Sequence, residues 1–400
     1  MLLGPIECGV SSEGIFRLAL PCALLAAVLA AMPSMATAKQ PAPVPSRSEV
    51  PIALLVDVTS NQVLFAREAD RRFVPASITK VMTLYHAFEL IDEGALTPTQ
   101  RYRMRDETWA EWHRKGSTMF IADGASVAVD DLLMGIANVS ANDGAMALAE
   151  GQAGTLDAWL GGMNARARAL GMTNSHFGTP NGWPDEGRTF TNAKDLVRLA
   201  KALTDRHPEK VARYIGKEGF RYNDIAQSNR DPMIGRVDGA DGIKTGFTSE
   251  AGLGYLGTAA RDGQRLVVVI AGADEESIRG ETARGLIEWG FVEFDRRKIA
   301  SRGQSIGKAR VQNGTSKFVA LQTSGPVFVN IPKGMTGEVQ MSISYNGPIH
   351  APIKSGQRVA TMLVTVPGLE PARIPLVASQ DVERAGLIGR VWNGITGWFA

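Results

Sequence analysis

Cysteine is almost absent from this chain: Cys8 and Cys22 are the whole complement, and both fall near the N-terminus. Once that region is removed, nothing remains to form a disulfide, a reactive thiol or a cysteine metal site. The five histidines (His86, His113, His176, His207 and His350) show no ligand spacing of the H-E-x-x-H kind, so no metal is expected. A block of charge of either sign is missing too, and the formal net charge is only +2. Nucleic-acid binding therefore has no electrostatic support. There is no internal repeat and no G-x-S-x-G elbow, which argues against a Ser-His-Asp hydrolase. No cofactor is expected.

What the chain does contain is ordinary globular composition, 44% hydrophobic and 21% charged over 400 residues, enough for two domains rather than one. Residues 1–38 read as a secretory signal, with Arg17 before the apolar run Leu18 to Met32 and an A-x-A site at Ala36-Thr37-Ala38. Glu7 and Glu13 make the stretch before Arg17 unusual for a signal, which leaves a downstream start codon open. An uncleaved membrane anchor is the alternative, and both imply export. Residues 39–48, with Pro41, Pro43 and Pro45, suit an extended linker.

From residue 49 to 297 the pattern predicts an α/β unit. Pro51 to Val58 and Gln62 to Ala66 suit a strand pair about a turn, and Gly254 to Ala259 and Leu266 to Ala271 suit further strands. Apolar stripes at helical spacing predict helices after Pro75, over Val129 to Val139, Ala145 to Ala153, Asp157 to Leu170, Asn192 to Asp205 and Ser277 to Phe294. Leu96 to Ala128 reads as loop and short strand. Strands near both ends with helices between them indicate a largely antiparallel sheet backed by helices. Residues 298–378 read as a small all-β sandwich of short strands split by Gly/Pro/Asn turns. In 379–400, Ile388, Val391, Trp392, Ile395, Trp398 and Phe399 repeat at helical spacing. With Arg384 and Arg390 present, this suits an amphipathic helix lying in a membrane interface rather than crossing it. A terminal helix packed on its own domain is the alternative.

Three short motifs bear on chemistry. Ser77 and Lys80 lie three residues apart at the mouth of an apolar helix, on one face of its first turn. The helix end supplies free N–H groups and positive potential beside the hydroxyl, and a lysine of lowered pKa could take its proton. Taken alone the pair is also what a capped helix with a surface lysine looks like. The chain carries its own controls: Ser305-Ile306-Gly307-Lys308 and Ser344-Tyr345-Asn346 fit the same patterns within the β region. Order and context discriminate. Ser77-x-x-Lys80 opens a helix, Ser140-x-Asn142 sits between two, and Lys244-Thr245-Gly246 precedes strands, the trio of penicillin-binding proteins and related β-lactamases.

That trio has a coherent physical logic. Ser77 attacks an amide carbonyl, and Lys80 acts as base with its pKa depressed by Lys244. Ser140 relays a proton to the leaving amine, and Asn142 holds Lys80 and the substrate amide. Thr245 and Phe247 flank Gly246 on the strand that would receive the substrate. The Ser77 N–H and the N–H after Gly246 form an oxyanion hole, in which losing one donor costs about 3 kcal/mol. Gly246 permits close approach of the strand.

Over nearly all of its mature length the chain resembles the low-molecular-mass penicillin-binding proteins of the D-alanyl-D-alanine carboxypeptidase family. The likeness is carried by the three motifs, Ser140-Ala-Asn-Asp-Gly, Leu170-Gly-Met-Thr-Asn-Ser-His-Phe177, the β domain and the amphipathic tail. It implies a penicillin-binding-protein-like transpeptidase domain and removal of the terminal D-alanine from pentapeptide stems of peptidoglycan. It also implies covalent inhibition by β-lactams, and a peripheral location on the periplasmic face of the inner membrane through residues 381–400. It places Arg279, counted back from Trp289-Gly290, at the substrate's terminal carboxylate; a solvated arginine at a helix start would look the same. Phe247 departs from the His or Thr that many members carry after K-T-G, although its N–H is retained. A D,D-endopeptidase, a β-lactamase and a non-catalytic envelope scaffold are the competing readings.

Overall fold

The computed structural model describes residues 41–386, so the signal reading of 1–38 and the tail residues 387–400 lie outside it. The chain opens with β1 (Ile52–Asp57) and β2 (Gln62–Arg67), then a 3-10 turn, Ala76–Thr79, running into α1 (Lys80–Asp92). Next come β3 (Arg101–Arg103), α2 (Asp106–Trp112), β4 (Ser126–Ala128), α3 (Val129–Asn138), α4 (Asn142–Ala153) and α5 (Leu156–Ala169). They are followed by α6 (Ala193–Arg206), α7 (Pro208–Tyr214), the hairpin β5 (Gly219–Tyr222) and β6 (Ile225–Ser228), and β7 (Ala240–Thr248). β8 (Gly252–Arg261), β9 (Gln264–Ala273) and α8 (Glu276–Val292) complete this part.

One antiparallel sheet, in the order β2-β1-β9-β8-β7, organises these elements. Its two-residue period separates two cores. On β1, Ile52, Leu54 and Val56 face the cluster of α1 and its neighbours, while Ala53 and Leu55 face α8 with Leu286, Ile287 and Trp289. β9 divides the same way, with Val267 and Val269 on one side and Val268 and Ile270 on the other. Because both faces are covered, β1 is buried at every position, and Ile52 to Val56 read as an unbroken apolar run before Asp57. At about 1.5–3 kcal/mol per buried aliphatic side chain, these two layers dominate the stability of the unit. Helix α1 lies inside the larger core, with Val81, Met82, Leu84, Tyr85 and Phe88 all buried, and it places Ser77 and Lys80 beside the sheet.

Several elements differ from the sequence expectation. Helix α2 occupies part of a stretch read as loop and short strand, and α7 and the β5–β6 hairpin were not expected. Helix α4 begins at Asn142, so the second motif opens a helix rather than preceding it by a turn. The segment read as an extended linker is partly docked: Ala42 and Val44 pack on the α8 cluster, and Arg67 Nη1 donates to the Pro45 carbonyl at 2.7 Å.

The C-terminal part is all β: β10 (Phe294–Ala300), β11 (Ser305–Gln312), β12 (Phe318–Thr323), β13 (Val327–Pro332), β14 (Gln340–Ser344), β15 (Ile349–His350), β16 (Arg358–Thr365) and β17 (Ala372–Ala378). A six-stranded sheet, β14-β16-β17-β12-β11-β15, and the ribbon β10-β13 enclose one core that includes Val329, Leu321 and Leu376. The composition change at 298 falls inside β10, which starts directly after α8 with Phe294 against Trp289. Residues 379–386 are extended, not helical: Val382 bridges Ile353 and Arg384 bridges Gly314. Backbone pairing to the β domain holds this first part of the expected amphipathic helix. Among the described residues, no helix is long and apolar enough to cross a membrane.

A buried polar joint connects the two parts. Asn330 of β13 is wholly buried; its Nδ2 donates to Asp57 Oδ2 at 2.6 Å and to Ser60 Oγ at 3.0 Å. Its N–H donates to Gln62 Oε1 at 2.6 Å, and Gln62 Nε2 returns a bond to its carbonyl at 3.1 Å. Gln264 Nε2 donates to Asp57 Oδ2 at 3.0 Å. Alternation along β13 explains the placement, since Val329 and Ile331 point into the β core and Asn330 points away from it.

Candidate active site

A cleft of about 1110 Å³ lies where the 3-10 turn, the start of α4, the 181–184 loop, β7 and the start of α8 converge. It is lined by Ser77, Ser140, Asn142, Lys244, Thr245, Gly246, Phe247 and Arg279. These eight come from four distant stretches of sequence. Lys80 is wholly buried beneath it and reaches it through Ser77.

Lys80 Nζ donates to Ser77 Oγ at 3.0 Å, to Asn142 Oδ1 at 2.7 Å and to the Asn181 carbonyl at 2.7 Å. An ammonium group has three protons, and here each has one acceptor. After loss of one proton, two N–H bonds can stay with Asn142 and Asn181 while the lone pair faces Ser77 Oγ. Burial, and next the like charge of Lys244, hold this amine well below the usual lysine range, with Asp143 opposing. The sequence reading named Lys244 as the cause; burial is the larger one.

Each partner is itself held. Asn142 Nδ2 donates to the Lys115 carbonyl at 2.9 Å, and its N–H to the Ser117 carbonyl at 2.8 Å. Asp143 accepts from the N–H groups of Met119, Ile121 and Gly144, so the buried carboxylate ties the 117–121 loop to α4, and burial pushes its pKa up. Asn181 was not anticipated, because its contribution is a backbone carbonyl with no residue signature. Its loop is signalled by Gly182, at φ +74°, where a Cβ would lie 1.8 Å from the Ala76 carbonyl oxygen. Ala76 (φ 49°) and Ser140 (φ 61°) also adopt the left-handed region, which costs a non-glycine residue roughly 1–2 kcal/mol. Strain of this kind gathers at sites that must present a side chain at a sharp turn.

Strand β7 is an edge of the sheet, and the 3-10 turn lies against it. At Gly246 a Cβ would stand 2.7 Å from the Pro75 carbonyl and 3.3 Å from the Ile78 nitrogen, so a side chain here would push the strand off the serine turn. Lys244 is 5% exposed, and its pKa is lowered to about 7 by burial, with Asp231 opposing and Arg230 and Arg279 reinforcing. Phe247 is 61% exposed at the cleft mouth. Arg279 is buried, and its Nη2 pairs with Glu276 Oε1 at 2.7 Å. Trp183, Phe120 and Arg230 also line the cleft, and sequence reasoning singled out none of them for the site. The decoy pairs lie on strands, Ser305 and Lys308 in β11 and Ser344 in β14, and none lines this cleft.

Comparison with known proteins identifies the family. The family model for D-alanyl-D-alanine carboxypeptidase, peptidase family S11, matches residues 36–275. A second model, the C-terminal domain of penicillin-binding protein 5, matches residues 294–384. The D-alanyl-D-alanine carboxypeptidase DacC of Escherichia coli is 33% identical over 345 residues, 85% of this chain and 86% of the relative. DacF of Bacillus subtilis is 29% identical over 350 residues, 85% and 87% of the two chains. Among solved structures, penicillin-binding protein 5 of Haemophilus influenzae superposes with a TM-score of 0.73 at 29% identity, covering 85% of this chain and 99% of that one. Penicillin-binding protein D2 of Listeria monocytogenes, in its ampicillin-bound form, gives a TM-score of 0.55 at 27% identity over 63% of this chain and all of that one.

Proposed function

The chain belongs to the D-alanyl-D-alanine carboxypeptidase family, and we propose that it removes the terminal D-alanine of peptidoglycan stem peptides through an acyl intermediate on Ser77. The observation that carries the mechanism is the buried Lys80 amine, 3.0 Å from Ser77 Oγ and fixed by two further acceptors. With one proton lost, that amine takes the Ser77 proton as Oγ attacks the penultimate carbonyl. The Ser77 and Phe247 N–H groups face the oxyanion across the close contact at Gly246. Ser140 and Lys244 deliver the proton to the departing D-alanine nitrogen, Asn142 and Thr245 hold the substrate backbone, and Arg279 takes its terminal carboxylate. Water then releases the shortened peptide and restores Ser77. No metal or cofactor enters this sequence.

β-Lactams present a strained amide to the same serine and act as covalent inhibitors. The test is mass spectrometry of a penicillin adduct with the modified peptide mapped, together with D-alanine release from a pentapeptide. A single adduct on the peptide bearing Ser77 is expected. Residual labelling of a Ser77→Ala protein would overturn the mechanism. The enzyme acts after export, at the periplasmic face of the inner membrane, with the tail as a peripheral anchor. Because residues up to 385 pair with the β domain, the informative truncation removes only 387–400. Once signal cleavage is verified, a truncated protein that stays in the membrane fraction would remove the anchor assignment.

A further inference from the structure

Among the described residues lining the cleft, Glu276 is the one carboxylate, set against the cations Arg114, Arg230, Lys244 and Arg279. Its partner there is Arg279, one turn later on α8, the side chain to which the proposed function assigns the terminal carboxylate. The two partners differ in freedom: the Arg279 side chain is 4% exposed and that of Glu276 is 69%. Packing holds the guanidinium, whereas the carboxylate keeps most of its rotamers.

The contact is also incomplete. Arg279 Nη2 makes one bond to Glu276 Oε1, and its buried Nε has no acceptor. A guanidinium is built to grip a carboxylate by two parallel bonds, and an unmet buried N–H is unfavourable. A single-bonded i,i+3 pair with one exposed partner is a weak one, readily displaced.

We infer that Glu276 is a resident competitor for Arg279, occupying the carboxylate site between turnovers and retaking it as D-alanine leaves. The inference rests on the proposed role of Arg279. The fraction of time that Glu276 holds Arg279 weakens the apparent affinity for any entering carboxylate by that fraction. Substrate and released D-alanine carry the same terminal group, so both are affected alike. Glu276 is thus an affinity and release determinant that takes no part in bond making.

The test is steady-state hydrolysis of a peptide ending in D-alanyl-D-alanine, with free D-alanine added as product inhibitor. Glu276→Gln should lower KM three- to tenfold and lower the D-alanine inhibition constant by a similar factor, with kcat changed less than twofold. Glu276→Ala should act in the same direction, and Glu281→Gln, exposed on the same helix, should change neither constant. In an Arg279→Ala background, Glu276→Gln should have no further effect on KM. An unchanged or raised KM in Glu276→Gln would overturn the inference, the raised value marking Glu276 as a residue that orients Arg279. An Arg279→Ala protein with wild-type KM would overturn the carboxylate assignment beneath it as well. Absence of D-alanine release from the wild-type protein would instead sink the proposed function itself.

Discussion

Lysine is seldom wholly buried in a folded protein, and this cleft buries two, Lys80 and Lys244. They meet burial differently. Lys80 has three acceptors, whereas Lys244 Nζ donates to the carbonyl of Thr245 at 3.1 Å. Replacing Lys244 by Met should therefore abolish acylation yet raise thermal stability. The sign follows from the lowered pKa. Below about 7 the lysine is charged in both folded and unfolded chains, and the folded state carries the full desolvation penalty. Between there and the ordinary lysine value of about 10.4 the unfolded chain binds a proton that the folded one lacks, so wild-type stability climbs with pH. The gain in Tm of Lys244→Met should be largest at pH 6 and vanish near pH 10.5, which calorimetry across pH can read. At Phe247, where the N–H rather than the side chain is called upon, Phe247→His should change acylation and deacylation rates by less than Ser77→Ala, which should end both. Stopped-flow measurement with a chromogenic β-lactam separates the two steps.

Among the secondary elements, the approach of the 181–184 loop to the serine turn is the tightest constraint. Gly182→Ala would set a methyl group 1.8 Å from the Ala76 carbonyl at a φ that alanine avoids. The expected outcome is a loss of about 2–3 kcal/mol in denaturant unfolding and a larger proportional loss of acylation, because Asn181 is moved off Lys80. This loop also marks where sequence reading stops. Ser77, Asn142 and Lys244 were legible because their chemistry sits in side chains at fixed spacing. Asn181 acts through its main chain, and Glu276 and Arg230 enter only when α8 and the stretch before β7 are brought to the cleft. Helix α7 had a usable signal, Pro208 at its first turn, as did α2 with Asp106 and Glu107. Both are seven residues long, too short for an apolar period to stand out. The central strands were plain because β1 and β9 are apolar on both faces.

For the molecule as a whole, the joint between its two parts is polar, buried and complete. Asn330→Ala would remove the amide that donates to Asp57 Oδ2 and Ser60 Oγ in a buried interface, while the main-chain bonds to Gln62 remain, at roughly 1–3 kcal/mol for the bonding lost. Calorimetry should then resolve the single transition into two, with hydrolysis of small soluble peptides retained. One unresolved transition at the wild-type Tm would show that the joint adds nothing to coupling. Its more distant consequence is mechanical. With the far end of the β domain held at the membrane as proposed above, two bodies joined through Asn330 would turn together and the cleft would sweep a fixed arc. Reach then becomes a filter of its own: a stem peptide outside that arc escapes trimming however well its end fits the cleft.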